Sequence, residues 1–329
     1  MDSGSFGKRH NKGEDIISRM PDDVLSHIIS RLQVKDAVKT CVLSSRFKNV
    51  WTLIYNLYFY RRTELLNFGE LVLRRCQSNN IKKFVLRTRD HLRESDAARL
   101  SELICFAVER NVCSLTLKFN VEVGWPMIRL PQSILTCKSL VRLNLRFWDF
   151  ALDIPDCMVC FPCLKFLSIF VECPNGNLMQ KLFRCCPILE ELKIKVHQDM
   201  KGDVLTFDIN VPTLKKLKIY LSVEDDYDIS VHRFVVRACN LEYLKVENDF
   251  LACFVLGETP FLNKVLSPDI YGNLPSFPNL IYLHLGVDIH IGFALLVQFL
   301  NNLPNLEVLV LDKEDVFLYE KVREVRFEL

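Results

Sequence analysis

The chain has 329 residues, 50% hydrophobic and 25% charged, with 11 Gly and 13 Pro, which is the composition of an ordered globular protein. Lys+Arg 42 against Asp+Glu 40 leaves a formal charge of +2, which argues against a general nucleic-acid or membrane binder. No run approaches the roughly 18 apolar residues of a membrane span, and the polar start "MDSGSFGKRHNKGED" lacks the apolar core of a secretory signal.

In chain order, residues 1–14 read as a disordered leader and residues 15–60 as short helices. Pro21 followed by Asp22 and Asp23 suits a helix start, with acidic groups at the positive end of the dipole. Leu25, Ile28, Ile29 and Leu32 then recur at i, i+3, i+4 and i+7 as one apolar stripe. Residues 35–42 carry a second helix, and Ser44 or Ser45 is placed to cap a third through Phe47, Val50, Trp51 and Ile54. A stretch this short, near the roughly 40-residue limit for independent folding, needs something else to cover its apolar faces.

Residues 61–329 change period. Six times the chain writes Pro, any residue, then Leu-x-x-Leu-x-apolar with slight drift: "PCLKFLSI", "PILEELKI", "PTLKKLKI", "PFLNKVLS", "PNLIYLHL" and "PNLEVLVL". "SLVRLNL", "NLEYLKV", "NVCSLTL" and "NIKKFVL" are versions without Pro. The first Leu of the central units falls at 140, 164, 189, 214 and 241, in steps of 24, 25, 25 and 27. That matches leucine-rich repeats of about 20–29 residues. One unit cannot bury the apolar face of its strand, so neighbours stack into an α/β solenoid with a parallel sheet on its concave side. "YEKVREVRFEL" reads as one last strand through Val322, Val325 and Phe327.

Met20-Pro21-Asp22, Val24-Leu25, Ile28, Leu32, Lys35-Asp36-Ala37, Val42-Leu43-Ser44 and Trp51 together resemble an F-box, that of the plant F-box/leucine-rich-repeat proteins of FBD type. The resemblance implies a three-helix F-box followed by an irregular leucine-rich-repeat solenoid. It implies a non-catalytic, substrate-recognition subunit of an SCF-type ubiquitin ligase, with no cofactor. The box would dock on a Skp-type adaptor, linked to a cullin-RING ligase, through Met20, Pro21, Val24, Leu25, Ile28 and Val42. The sequence departs from the family pattern at Gln33, where Pro is common, and at Phe47, where Trp is common. The chain also stops at Leu329, soon after the last repeat, so a C-terminal domain carried by many members is expected to be truncated or absent. Alternatives are a solenoid scaffold with a degenerate box, acting outside any ligase, and a small-molecule-gated receptor with an enclosed pocket in its concavity.

In Leu-x-x-Leu-x-Leu the positions flanking the last two apolar residues face out of the sheet. Lys83, Arg87, Lys118, Arg142, Arg146, Lys193, Lys195, Lys216, Lys218 and Lys245 fall there, against the acidic Glu191, Glu247 and Asp312. Phe166, Phe170, Tyr220, Tyr243 and Tyr282 are interleaved with them. Basic groups beside aromatic anchors suit an acidic or phosphorylated target protein. The acidic run "EDDYD" at 224–228 and the balanced total charge weigh against nucleic acid.

Thirteen cysteines, an odd number behind a polar N-terminus, read as reduced thiols in the cytoplasm or nucleus. Cys157, Cys160 and Cys163 with Cys185, Cys186 and His197 have a passing likeness to a zinc ligand set. They fall at repeat turns, where small semi-buried residues are wanted, so no metal is expected. No phosphate-cradling Gly loop, His-Glu-x-x-His or Gly-x-Ser-x-Gly occurs, which points away from an enzyme.

Overall fold

A computed structural model describes residues 16–121, 128–146, 150–151, 154, 160–171, 176–198, 206–223, 233–247, 277–287, 296–297, 300–313 and 324–328. The expected leader at 1–14 lies outside them. The chain opens with α1 (Ile16–Arg19), α2 (Asp22–Ile29), α3 (Val34–Lys39) and α4 (Phe47–Val50). α3 and α4 each tighten into a 3-10 turn, Thr40–Val42 and Trp51–Leu53. The residue at the N-terminal cap of α4 is Arg46, not Ser44 or Ser45. Its guanidinium reaches back to donate to Asp22 Oδ1 at 2.6 Å and to the Met20 carbonyl. A serine hydroxyl reaches only nearby backbone, whereas this longer side chain ties the starts of α2 and α4 together.

Next come β1 (Asn56–Phe59), α5 (Arg62–Arg75), β2 (Lys83–Leu92), α6 (Glu94–Glu109), β3 (Ser114–Val121), β4 (Ile128–Arg129), β5 (Arg142–Arg146), β6 (Phe150–Ala151) and β7 (Phe166–Val171). They are followed by α7 (Gly176–Arg184), β8 (Glu191–Gln198), β9 (Thr206–Asn210), β10 (Lys216–Val223), β11 (Arg233–Arg237), β12 (Tyr243–Glu247), β13 (Tyr282–Val287), β14 (Val308–Lys313) and β15 (Glu324–Glu328). Among the described residues the main sheet has eleven strands, ordered β1-β2-β3-β5-β7-β8-β10-β12-β13-β14-β15. Ten of these strands run parallel, as the repeat pattern requires. β4 with β6 and β9 with β11 form two further parallel pairs.

The register explains the repeat. Leu57, Phe84, Leu115, Leu143, Leu167, Leu192, Leu217, Leu244, Leu283 and Leu309 pair in one continuous row. All are buried, in one apolar core that also includes Leu25 and Ile29 of α2. The residue just before the first Leu of a unit has its own task. Asn240, Asn279 and Asn305 donate from Nδ2 to the carbonyls of Pro212, Cys239 and Pro278 at 2.8, 2.9 and 2.6 Å. Thr213 does the same to Leu189 at 2.8 Å. Each turn thus binds the turn before it, satisfying carbonyls that the strands leave over.

Two features differ from the sequence reading, and one expected unit falls outside the described residues. β1 is a strand that the Leu-x-x-Leu pattern does not mark; four residues alternating Leu57 and Phe59 inward suffice because β2 supplies the partner. The "PFLNKVLS" unit at 260–267 lies outside the described residues; β12 pairs directly with β13. β15 is present but antiparallel to β14. Only residues 314–323 connect the two, fewer than the dozen or so that a parallel crossover needs.

Helices α5 and α6 back the first strands. A Cβ on Gly69 would sit 3.0 Å from Leu103 Cδ1, so α5 and α6 approach closely at that point. α6 ends on Asn111 at φ 56°, a left-handed conformation Asn tolerates, and the Val112 N–H closes onto the Ala107 carbonyl at 3.0 Å. Arg62 grips buried Asp96 with Nε at 2.5 Å and Nη2 at 2.9 Å, while the Arg93 N–H donates to the same carboxylate. Burial works to raise the Asp96 pKa, but these donors together outweigh it and hold it below the usual value. Lys35 of α3 pairs with buried Glu64 of α5 at 3.3 Å, so the helical opening is bonded to the solenoid.

Candidate functional site

The first surface is that of the opening helices. The apolar stripe of α2 is divided: Leu25 and Ile29 are 2% and 3% exposed, whereas Ile28 is 46% exposed and Leu32 also faces out. Val24 at 41% lies beside Ile28, and the turn after α3 presents Val42 at 86% and Leu43 at 66%. Among the described residues, eight of the thirteen exposed large hydrophobic side chains fall between Ile16 and Leu53. Of the six residues singled out from sequence, Pro21, Val24, Ile28 and Val42 are exposed and Met20 is half-buried. Leu25 is core: it holds α2 in place and offers no surface of its own. Leu43, Ile16, Ile17 and Leu53 were not singled out, and only their position beside the marked residues hints at them.

The second surface is the outward face of the sheet, and it is laid out in rows. Lys83, Ser114, Arg142, Phe166, Glu191, Lys216, Tyr243 and Tyr282 form one row. Ser168, Lys193, Lys218, Lys245 and His284 lie in the next. Arg87, Lys118, Arg146, Phe170, Lys195, Tyr220 and Glu247 form the third. All fifteen basic and aromatic residues expected on the outward face therefore share one surface.

Cations and rings on this face contact one another. Arg142 sits 5.2 Å from the Phe166 ring centre, Arg146 4.9 Å and Lys195 5.5 Å from Phe170, and Lys193 4.4 Å from Tyr220. Lys218 lies 5.5 Å from Tyr243, which stacks on Tyr282 with centres 4.5 Å apart and planes 4° from parallel. Burial, then the neighbouring Tyr282 and Tyr220, push the Tyr243 hydroxyl up to about 12. Such cation–ring contacts are worth about 0.5–1 kcal/mol each at exposed sites. Carboxylates answer two of the lysines: Lys218 pairs with Glu191 at 3.0 Å and Lys245 with Glu247 at 2.6 Å.

Cys160, Cys185 and Cys186 are buried against one another, and burial, with Cys185 adding to it, pushes the Cys160 thiol up to about 11. Cys186 donates to the Leu182 carbonyl at 3.2 Å. Burial likewise raises the Cys186 pKa, so Cys160 and Cys186 pack as thiols, poor metal ligands as they stand. Cys157 and the His197 side chain lie outside the described residues. Among the described residues no His, Cys, Asp and Glu group has the arrangement of a metal site, and no helix is long and apolar enough to cross a membrane.

Comparison with known proteins addresses both surfaces. A family profile described as F-box domain matches residues 17–58, and one described as FBD-associated F-box protein At5g56370, LRR repeats, matches residues 100–260. An F-box/LRR-repeat protein of Arabidopsis thaliana, At4g14103, is 28% identical over 90% of this chain and 91% of its own length. The FBD-associated F-box protein At5g56380 of the same plant is 30% identical over 85% of this chain and 67% of its own length. The chain belongs to the plant F-box/leucine-rich-repeat family. No solved structure matches it.

F-box domains generally bind Skp1-type adaptors, and F-box/leucine-rich-repeat proteins are typically non-catalytic interaction proteins. In this member the F-box match coincides with the stretch where apolar side chains stand uncovered, and the repeat match covers the middle strands of the sheet.

Proposed function

We propose that this F-box/leucine-rich-repeat protein is the substrate-recognition subunit of an SCF-type ubiquitin ligase. Residues 15–60 dock on a Skp-type adaptor and residues 61–329 hold a target protein on the concave sheet, in the cytoplasm or nucleus. Chemistry belongs to the ligase; this chain contributes proximity, holding target lysines where the effective concentration of activated ubiquitin is high. The observation that carries the reading is the uncovered set Val24, Ile28, Val42 and Leu43. Apolar side chains gathered on one short segment mark an interface that a partner completes.

Co-purification with a plant Skp-type adaptor tests it. The intact chain should capture the adaptor, whereas Ile28→Asp/Val42→Asp and a chain lacking residues 1–60 should not. Leu25→Asp would be a poor probe, because its buried charge unfolds the box instead of blocking the surface. Failure of capture by the folded intact chain would overturn the ligase reading and favour a scaffold with a degenerate box.

A further inference from the structure

At the C-terminal ends of the first strands the concave face changes character. A basin of about 1050 Å³ opens there, lined by Arg61, Arg87, Arg89, Lys118 and Arg146 together with Asp90. Arg87, Lys118 and Arg146 occupy equivalent positions on β2, β3 and β5, so three cations stand side by side across adjacent strands. Like charges directly opposite on neighbouring strands repel. Among the described residues Asp90 is the one acidic residue lining the basin, and its Oδ2 already accepts the Arg62 N–H at 3.0 Å. Among the described residues none of the five basic side chains forms an ion pair.

Elsewhere on the face cations also stand side by side, as Lys193, Lys218 and Lys245 do, but there carboxylates stand among them. Lys218 and Lys245 have carboxylate partners. The groove along the opposite rim mixes Lys165 and Lys215 with Glu190, Glu242 and Glu307. In the basin burial and then the charges of Arg87 and Arg146 hold the Lys118 pKa below its ordinary value, with no carboxylate among the described residues opposing them. At Lys193, lowered in the same way, Glu247 opposes the shift. Among the described residues, positive charge is therefore concentrated and unrelieved in a concave, solvent-open site. A single carboxylate supplies one charge, whereas a phosphate monoester brings about −1.5 to −2 and three acceptor oxygens. Guanidinium forks match those oxygens two at a time.

We propose that the basin bounded by Arg61, Arg87, Arg89, Lys118 and Arg146 binds a phosphate monoester. The receptor reading above enters only in the expectation that a target protein carries the phosphate; the site itself stands without it.

Calorimetric titration of the full chain with inorganic pyrophosphate provides the test. Saturable binding is expected, weakened at least about tenfold in Arg87→Gln/Lys118→Gln/Arg146→Gln, since each substitution removes a charge-assisted hydrogen bond to the phosphate. Lys165→Gln/Lys215→Gln on the opposite rim should bind as the parent does. Without ligand, Lys118→Gln should melt no lower than the parent, because it removes a repelled charge, and it serves as the folded variant if the triple one fails.

Absence of saturable binding, or equal weakening in both sets of variants, would overturn the site. Tighter binding of a single-stranded oligonucleotide than of pyrophosphate would overturn it too, in favour of a phosphodiester ligand. Two further arms separate the sources. A phosphoserine peptide pool that binds where its unphosphorylated counterpart does not, and is displaced by pyrophosphate, places the phosphate on a protein. Pyrophosphate binding with no preference between the two pools supports the site with a free phosphate ester as its ligand. Adaptor capture in the same preparations is scored separately, so loss of one reading leaves the other intact.

Discussion

The box and the solenoid are both rich in aliphatic side chains, yet they dispose of them differently. In the solenoid each Leu row is closed by the repeats on either side, and Leu143, Leu192, Leu217 and Leu244 have no contact with solvent. In the box, α2 is apolar on two sides, and the chain covers only one. Leu25 and Ile29 turn inward, while Val24 and Ile28 turn outward. A stack of repeats is its own partner; a helix with two apolar faces needs a second neighbour. Hydrophobicity alone does not distinguish the two cases, and burial does.

That contrast can be broken from either side. The largest effect is expected at a repeat Leu: Leu217→Ala should cost about 2–5 kcal/mol of unfolding free energy, because the packed sheet cannot collapse around the vacancy. Chemical denaturation of the two chains measures it. Arg62→Ala comes next, at about 2–3 kcal/mol, below the range for fully buried pairs since Arg62 keeps some solvent contact. Its acid dependence sharpens the point. Asp96 has a lowered pKa in the folded chain, so its contribution is fully present above the unfolded value near 3.8 and fades as pH falls through the folded one. Asp96→Asn should therefore flatten that part of the acid unfolding curve, and an unchanged curve would show that the Arg62 contact contributes nothing. The smallest effect belongs to the box surface. Val42→Ser should shift stability by no more than about 0.5 kcal/mol, while Ile28→Asp/Val42→Asp, which still melts as a folded chain, loses the adaptor.

How much of this was legible in the sequence follows from what a linear pattern records. The main strands were legible because each must place apolar residues at alternate positions, and Leu-x-x-Leu-x-Leu writes that requirement out. β1 was not, since four residues give too short an alternation to stand out. The antiparallel sense of β15 was hidden because alternation is the same in either direction; only the short connection reveals it. On the concave face the ten basic residues were correctly placed, but Glu191 and Lys218 lie 27 positions apart and meet only through strand register. Counting charges therefore overstated how many lysines on this face lack a carboxylate partner. The basin was illegible for the same reason. Arg61 and Arg89 belong to no repeat position, and only the ordering of β1, β2, β3 and β5 brings them beside Lys118 and Arg146. In the box, the F-box pattern named the right segment but not which side of α2 faces inward, because a helical stripe read from sequence has no intrinsic inside.

The direct pairing of β12 with β13 has a wider consequence. Leu217 to Leu244 is a step of 27 residues, and Leu244 to Leu283 is one of 39, yet the two steps end in the same sheet with the same register. Closing the longer span costs only about 0.3 kcal/mol more by the logarithmic dependence of loop entropy on length. What a strand needs is its neighbour's edge, not a fixed length of chain between them. Insertions can therefore accumulate between strands at almost no thermodynamic penalty, leaving the architecture a fixed ruler on which the connecting segments are free to diverge.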